Sequence, residues 1–137
     1  MSARTKARKR ALDLLYGADL RSETLSVALA AETDRAAGDA RRESSWPYAR
    51  VIVQGVEEHL VEIDELIETY AQGWTIARMP AIDRAIVRMG IWELMFNPEV
   101  PDGVAIAEAV AAARTYSTED SAGFVNGLLG RIAQTRN

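Results

Sequence analysis

The placement of proline constrains this chain more than any other feature. Pro47, Pro80, Pro98 and Pro101 all fall where one run of apolar residues at three- and four-residue spacing stops or the next begins. Proline has a fixed φ and no amide proton, so it is accepted in the first turn of a helix or just past its end and breaks a helix elsewhere. Ala and Leu are abundant, and few stretches alternate with the period of two that a strand requires. The chain therefore reads as all-α, with six or seven helices.

The first helix is expected from about Thr5 to Leu20, with Ala11, Leu12, Leu15 and Ala18 on one apolar face and the basic residues in its exposed opening turns. A short second helix follows Thr24, its N-cap, to about Ala31. Asp34 to Ser45 is polar, charged and contains Gly38, which predicts an exposed, mobile loop. Ser45-Trp46-Pro47 then reads as a helix start, and the apolar face that follows breaks near His59 to Glu62 before resuming through Ile63, Ile67 and Tyr70 to a stop at Gly73. Pro80 opens a helix bearing Ile82, Ile86, Met89 and Trp92, closed by Asn97-Pro98 and expected to be the central, most buried one. Pro101 starts an alanine-rich segment, Val104 to Tyr116, that admits close neighbours. The last helix follows Ser117-Thr118-Glu119-Asp120 and carries Phe124, Val125, Leu128, Leu129 and Ile132. Its internal Gly127 and Gly130 cost roughly 1 kcal/mol each relative to alanine; close backbone packing is the expected reason for Gly127, while Gly130 has no assigned role.

At 137 residues the chain is expected to form one domain, 1–137, that buries about two-thirds of the surface its unfolded form exposes. It contains no cysteine, which excludes disulfides, thiolate metal sites and a cysteine nucleophile and suits a reducing cytoplasm. Every apolar stretch is broken by charge well short of the ~18 residues of a membrane span, and Asp13 and Asp19 interrupt what would otherwise resemble a secretory signal. A cytoplasmic protein with no membrane association is the expectation. His59 is the only histidine and has no carboxylate cluster at metal-ligand spacing, so no metal site is assigned. Glu57, Glu58, Glu62, Asp64 and Glu65 scatter around their helix as a solvated face would, and no nucleotide-binding or hydrolase motif is present. No catalytic residue and no cofactor are assigned.

Charge is distributed unevenly. Five of the sixteen Lys and Arg residues, Arg4, Lys6, Arg8, Lys9 and Arg10, lie within the first ten positions with no acid among them, yet the chain's net charge is −4. Cations at a helix N-terminus oppose the macrodipole at a cost of a few tenths of a kcal/mol each, so the cluster does not serve the helix. A bound anion would be favoured there by both side chains and backbone N–H groups, which makes nucleic acid the first partner to test. A tail that only solubilises is the competing reading. Tyr16, further along the same helix, is either a stacking partner for a base or a half-buried core residue. Arg84 and Arg88 share a helix face beside Asp83, which reads either as surface ion pairs or as an exposed docking face for a protein partner.

Four segments taken together resemble the NusB family of bacterial transcription antitermination factors. They are Arg8-Lys9-Arg10-Ala11-Leu12-Asp13-Leu14-Leu15-Tyr16, Ile82-Asp83-Arg84-Ala85-Ile86-Val87-Arg88, Val104-Ala105-Ile106-Ala107-Glu108-Ala109-Val110 and Phe124-Val125-Asn126-Gly127-Leu128-Leu129, in the family's order and over most of the chain. The resemblance implies about seven helices in two packed sub-bundles and no enzymatic activity. It implies binding of boxA RNA in nascent ribosomal transcripts, together with NusE, a small-subunit ribosomal protein, within an RNA polymerase elongation complex that resists termination. It places RNA contacts at Arg4, Lys6, Arg8, Lys9 and Arg10, with Tyr16 nearby, and at Asp120 and Phe124, and it turns Asp83 toward NusE. Some members self-associate, so a homodimer is a further expectation. Two other readings stay open: a scaffold that binds protein alone, and a helical module like the one at the N-terminus of ribosomal RNA cytosine methyltransferases.

Overall fold

The computed structural model describes residues 2–36 and 44–136. Among them are seven α-helices, one short 3-10 turn and no strand, as the proline spacing and helical periodicity predict. The chain divides into two compact units, Met1–Glu58 and His59–Asn137.

The first unit holds α1 (Ala3–Leu20), α2 (Leu25–Ala36) and α3 (Trp46–Glu58), each packed against the other two. Helix α1 begins ahead of the expected Thr5 because Ser2 caps it, its side chain accepting from the Thr5 amide at 3.1 Å. Ala11, Leu12, Leu15 and Ala18 are all buried, as their spacing predicts. Ser22 takes a left-handed φ of 54°, and the Glu23 amide reaches back to the Ala18 carbonyl. Thr24 then caps α2, accepting from the Val27 amide at 3.2 Å. Helix α2 runs to Ala36, past its expected end near Ala31, so Asp34 and Arg35 are helical. Glu32 and Arg35 lie one turn apart and pair at 2.7 Å, support that the polar composition of the segment concealed. The remainder of the expected loop, 37–43, lies outside the described residues. Ser45 and Pro47 stand at the start of α3 as expected.

The second unit holds α4 (Leu60–Tyr70), the 3-10 turn Ile76–Arg78, α5 (Ala81–Phe96), α6 (Asp102–Tyr116) and α7 (Glu119–Gln134). Helix α5 packs on α4, α6 and α7, and ten of its sixteen residues are buried, which makes it the unit's central helix. His59 opens the unit, its ring stacked on Phe96 at 4.0 Å and its Nδ1 3.0 Å from Glu62 Oε1. Gly73 adopts φ 81° just after α4, a conformation that strains any residue with a Cβ. The 3-10 turn was not foreseen. It is tied to α5 by Arg84, whose Nη1 donates to the carbonyls of Ile76 and Met79 at 3.0 and 2.9 Å.

Close helix approach occurs at a different glycine from the expected one. A Cβ on Gly127 would meet only the side chain of Arg131 in its own helix, and one on Gly130 would meet nothing within 4 Å. Gly90 of α5 carries the packing instead, since a Cβ there would lie 3.0 Å from Leu129 Cδ1 of α7 and 3.1 Å from Ala109 Cβ of α6. The α6 alanines at 105, 109 and 113 are buried along one face, consistent with close approach.

Candidate nucleic-acid interface

In the first unit, helix periodicity sorts the five basic residues into different environments. Arg4 and Lys6 are exposed, Lys9 and Arg10 are half-buried, and Arg8 retains only 6% of its surface. The expectation that Arg8 lies on an exposed turn is therefore corrected: it follows Ala7 on the side of α1 that packs inward. Arg4 and Arg8 are one turn apart and both face the ring of Tyr48 on α3, their Cζ atoms 4.2 and 5.9 Å from its centroid. Arg10 Nε donates to Ser45 Oγ at 2.6 Å. Lys9 pairs with Asp13 one turn on, at 2.6 Å, a surface contact of little energetic weight. Tyr16 is half-buried. The opening is thus an ordered helix start with two exposed cations, and its arginines are oriented by the first residues of α3.

In the second unit, Thr118 caps α7, accepting from the Ser121 amide at 3.0 Å, and exposed Asp120 sits in the first turn, where its charge suits the positive helix end. Phe124 follows one turn later, half-buried, with its ring edge-to-face against Trp74 at 4.9 Å and 90°. These residues line a groove of about 550 Å³ whose walls also include Pro80, Ser117 and Thr118. An aromatic corner beside hydroxyl and carboxyl groups is chemically suited to a flat, polar-edged ligand such as a nucleobase.

Asp83 does not lie on an exposed face. It is fully buried, and its two carboxyl oxygens accept hydrogen bonds from Ser117 Oγ and Ser121 Oγ, each at 2.6 Å. The two arginines beside it are also engaged. Arg84 binds the carbonyls before α5, and Arg88 makes a two-pronged pair with Asp64 of α4 at 2.9 and 3.0 Å. The reason is the position of α5: surrounded by three helices, it offers its polar residues intramolecular partners before solvent. The expected exposure is thereby corrected for Asp83, which is buried, while Arg84 and Arg88 remain half-buried beside it.

Comparison with known proteins is decisive about family. A model described as the NusB family matches residues 5–134. The chain belongs to the NusB family. The transcription antitermination protein NusB of Leifsonia xyli subsp. xyli (strain CTCB07) is 68% identical over 99% of this chain and 94% of its own length. That of Clavibacter sepedonicus is 63% identical over 97% of each. Among solved structures, antitermination factors NusB and NusE in complex with double-stranded RNA superpose with a TM-score of 0.83 at 28% identity, covering 98% of both chains. Thermotoga maritima NusB superposes with a TM-score of 0.80 at 30% identity, covering 96% of this chain and 90% of the other.

For this NusB-family chain, sequence reasoning missed two aromatic residues. Trp74 was detectable as an aromatic directly after a turn glycine, and Tyr48 as an aromatic in the first turn of a helix; neither position reveals its ring partner, which comes from another helix. Among the described residues, no group of three or more His, Asp or Glu is placed to hold a metal ion, and no helix is long and apolar enough to cross a membrane.

Proposed function

We propose that this chain binds boxA RNA of nascent ribosomal transcripts jointly with NusE, and so joins an RNA polymerase elongation complex in the cytoplasm. Antitermination itself follows from membership of the family. In the proposal residues 1–137 work as one RNA-binding domain without a catalytic step or cofactor. Arg4, Lys6, Lys9 and Arg10 meet phosphates, with Arg8 seated behind them and Tyr16 alongside, while Phe124 offers a stacking face and Asp120 a hydrogen-bond acceptor to an unpaired base. Arg84 and Arg88 keep partly exposed atoms and are the proposed NusE-facing positions, whereas Asp83 acts from beneath through Ser117 and Ser121.

The observation that carries the proposal is the concentration of cations on one capped, ordered helix start in a chain of net negative charge. A solved NusB assembled with NusE and RNA supports it by analogy. The test is a titration with boxA RNA and a scrambled control, each with and without NusE. Tight binding is expected only for boxA with NusE present; equal, weak binding in all four conditions refutes sequence-specific recognition. A homodimer that competes with NusE would show as dissociation of the dimer when NusE is added in sedimentation experiments.

A further inference from the structure

We propose that Tyr48 is a positioning residue for RNA binding, its ring holding the guanidinium groups of exposed Arg4 and buried Arg8 so that Arg4 is seated in the orientation in which it meets phosphate. This rests on the RNA-binding reading above and adds a residue that does not itself touch RNA. Tyr48 lies in the first turn of α3, half-buried, and the two arginines approach its ring from successive turns of α1.

Arg4 and Arg8 are both favoured by such a contact. Two cations four residues apart on one helix face repel each other, and the positive end of the helix dipole opposes both. The ring of Tyr48 presents the negative face of its quadrupole to both, which offsets the repulsion where it is concentrated. Stacking uses the flat face of a guanidinium, whereas a phosphate is bound by the N–H groups of its edge, so one arginine can do both at once.

The consequence for binding is preorganisation. An arginine is rich in rotamers, and one already seated loses less freedom when a phosphate arrives. The opening is divided along these lines. Its three arginines are all met from the start of α3 and the residue just before it, Arg4 and Arg8 by Tyr48 and Arg10 by Ser45, while Lys9 pairs within α1 to Asp13. The segment 45–48 thus serves as a template for the arginine side chains.

The test uses the full chain and a single-stranded RNA oligonucleotide bearing boxA. Tyr48→Leu is expected to weaken binding roughly three- to tenfold, and Tyr48→Phe, which keeps the ring, to restore most of that loss. In an Arg4→Gln, Arg8→Gln background, Tyr48→Leu should change affinity no further. A full additional loss in that background overturns the proposal, because Tyr48 would then act through something else. If the double arginine variant weakens binding and Tyr48→Leu does not, the positioning role falls and the RNA reading stands; if the double arginine variant binds RNA as well as wild type, both fall. A second measurement is independent of RNA and of how well the leucine variant folds. In wild type and Tyr48→Phe the side-chain protons of Arg4 and Arg8 should show upfield ring-current shifts in NMR spectra, and random-coil values in wild type would overturn the seating.

Discussion

Ser121 Oγ donates to Asp83 Oδ2 at 2.6 Å, and both residues are buried. With Ser117 Oγ on the other carboxyl oxygen, this joins the first turn of α5 to the α6–α7 turn and the first turn of α7, which carry Thr118 and Asp120 of the groove. Asp83→Ala leaves two hydroxyls without their acceptor in a buried site and is expected to cost about 2–4 kcal/mol. Urea unfolding measures it; a loss smaller than the error of the fit would mean that the turn holds without the carboxyl group.

Gly90 and Gly130 should respond oppositely to alanine. At Gly90 the new methyl meets Ala109 Cβ at 3.1 Å, a rigid neighbour on α6, so Gly90→Ala is expected to lose about 1–3 kcal/mol despite a better helix propensity. At Gly130 the space is open within 4 Å, and Gly130→Ala should gain up to about 1 kcal/mol. Thermal melts of the two single variants suffice, and equal signs would contradict the packing.

Lys6 and Arg8 separate binding from stability. Lys6 is exposed, so Lys6→Gln should leave the melting temperature unchanged and reduce the salt dependence of RNA binding by roughly 0.7 in log–log slope, one phosphate contact on a single strand. Arg8 is buried, and Arg8→Gln should lower stability as well. For wild type the slope should fall between about −1.4, for two contacts, and −3.5, for all five. A wild-type slope near zero in fluorescence titrations would remove the electrostatic account.

Phe124→Ala removes one wall of the groove and the face against which a base would stack. Base–aromatic stacking of the usual strength predicts a five- to hundredfold loss of RNA affinity, about 1–3 kcal/mol. Trp74→Phe keeps an aromatic edge and should lose much less. Isothermal titration at matched salt distinguishes them, and unchanged affinity for Phe124→Ala would take the groove out of the binding site.

Helix boundaries were legible where a residue acts on its own chain neighbours. Pro80, Pro101, Thr24 and Thr118 each mark a start because their effect is local, and the apolar spacing of α5 foretold its burial. What stayed hidden depends on partners distant in sequence. Asp83 looks like a surface acid until Ser117 and Ser121 arrive, and Arg8 looks like its exposed neighbours until α3 covers it. Gly127 reads as a packing glycine from its place inside a helix, whereas the close approach depends on which helices face Gly90. For the candidate site, the charge cluster is visible in full, but the ring beneath Arg4 and the one beside Phe124 are not, since each belongs to a segment distant in sequence.

The boundary between the units falls at a single point in the chain, after Glu58. Each unit is therefore one unbroken stretch, and a ribosome delivers them in sequence. Tyr48 and Ser45 are already synthesised when the first unit is complete, so the partners that orient Arg4, Arg8 and Arg10 are at hand before any residue of α5, α6 or α7 exists. The groove of Trp74 and Phe124, in contrast, has to wait for α7, the last of the described helices in chain order. During its own synthesis the protein acquires the means to attract an RNA backbone well before it has the aromatic corner proposed to inspect the bases.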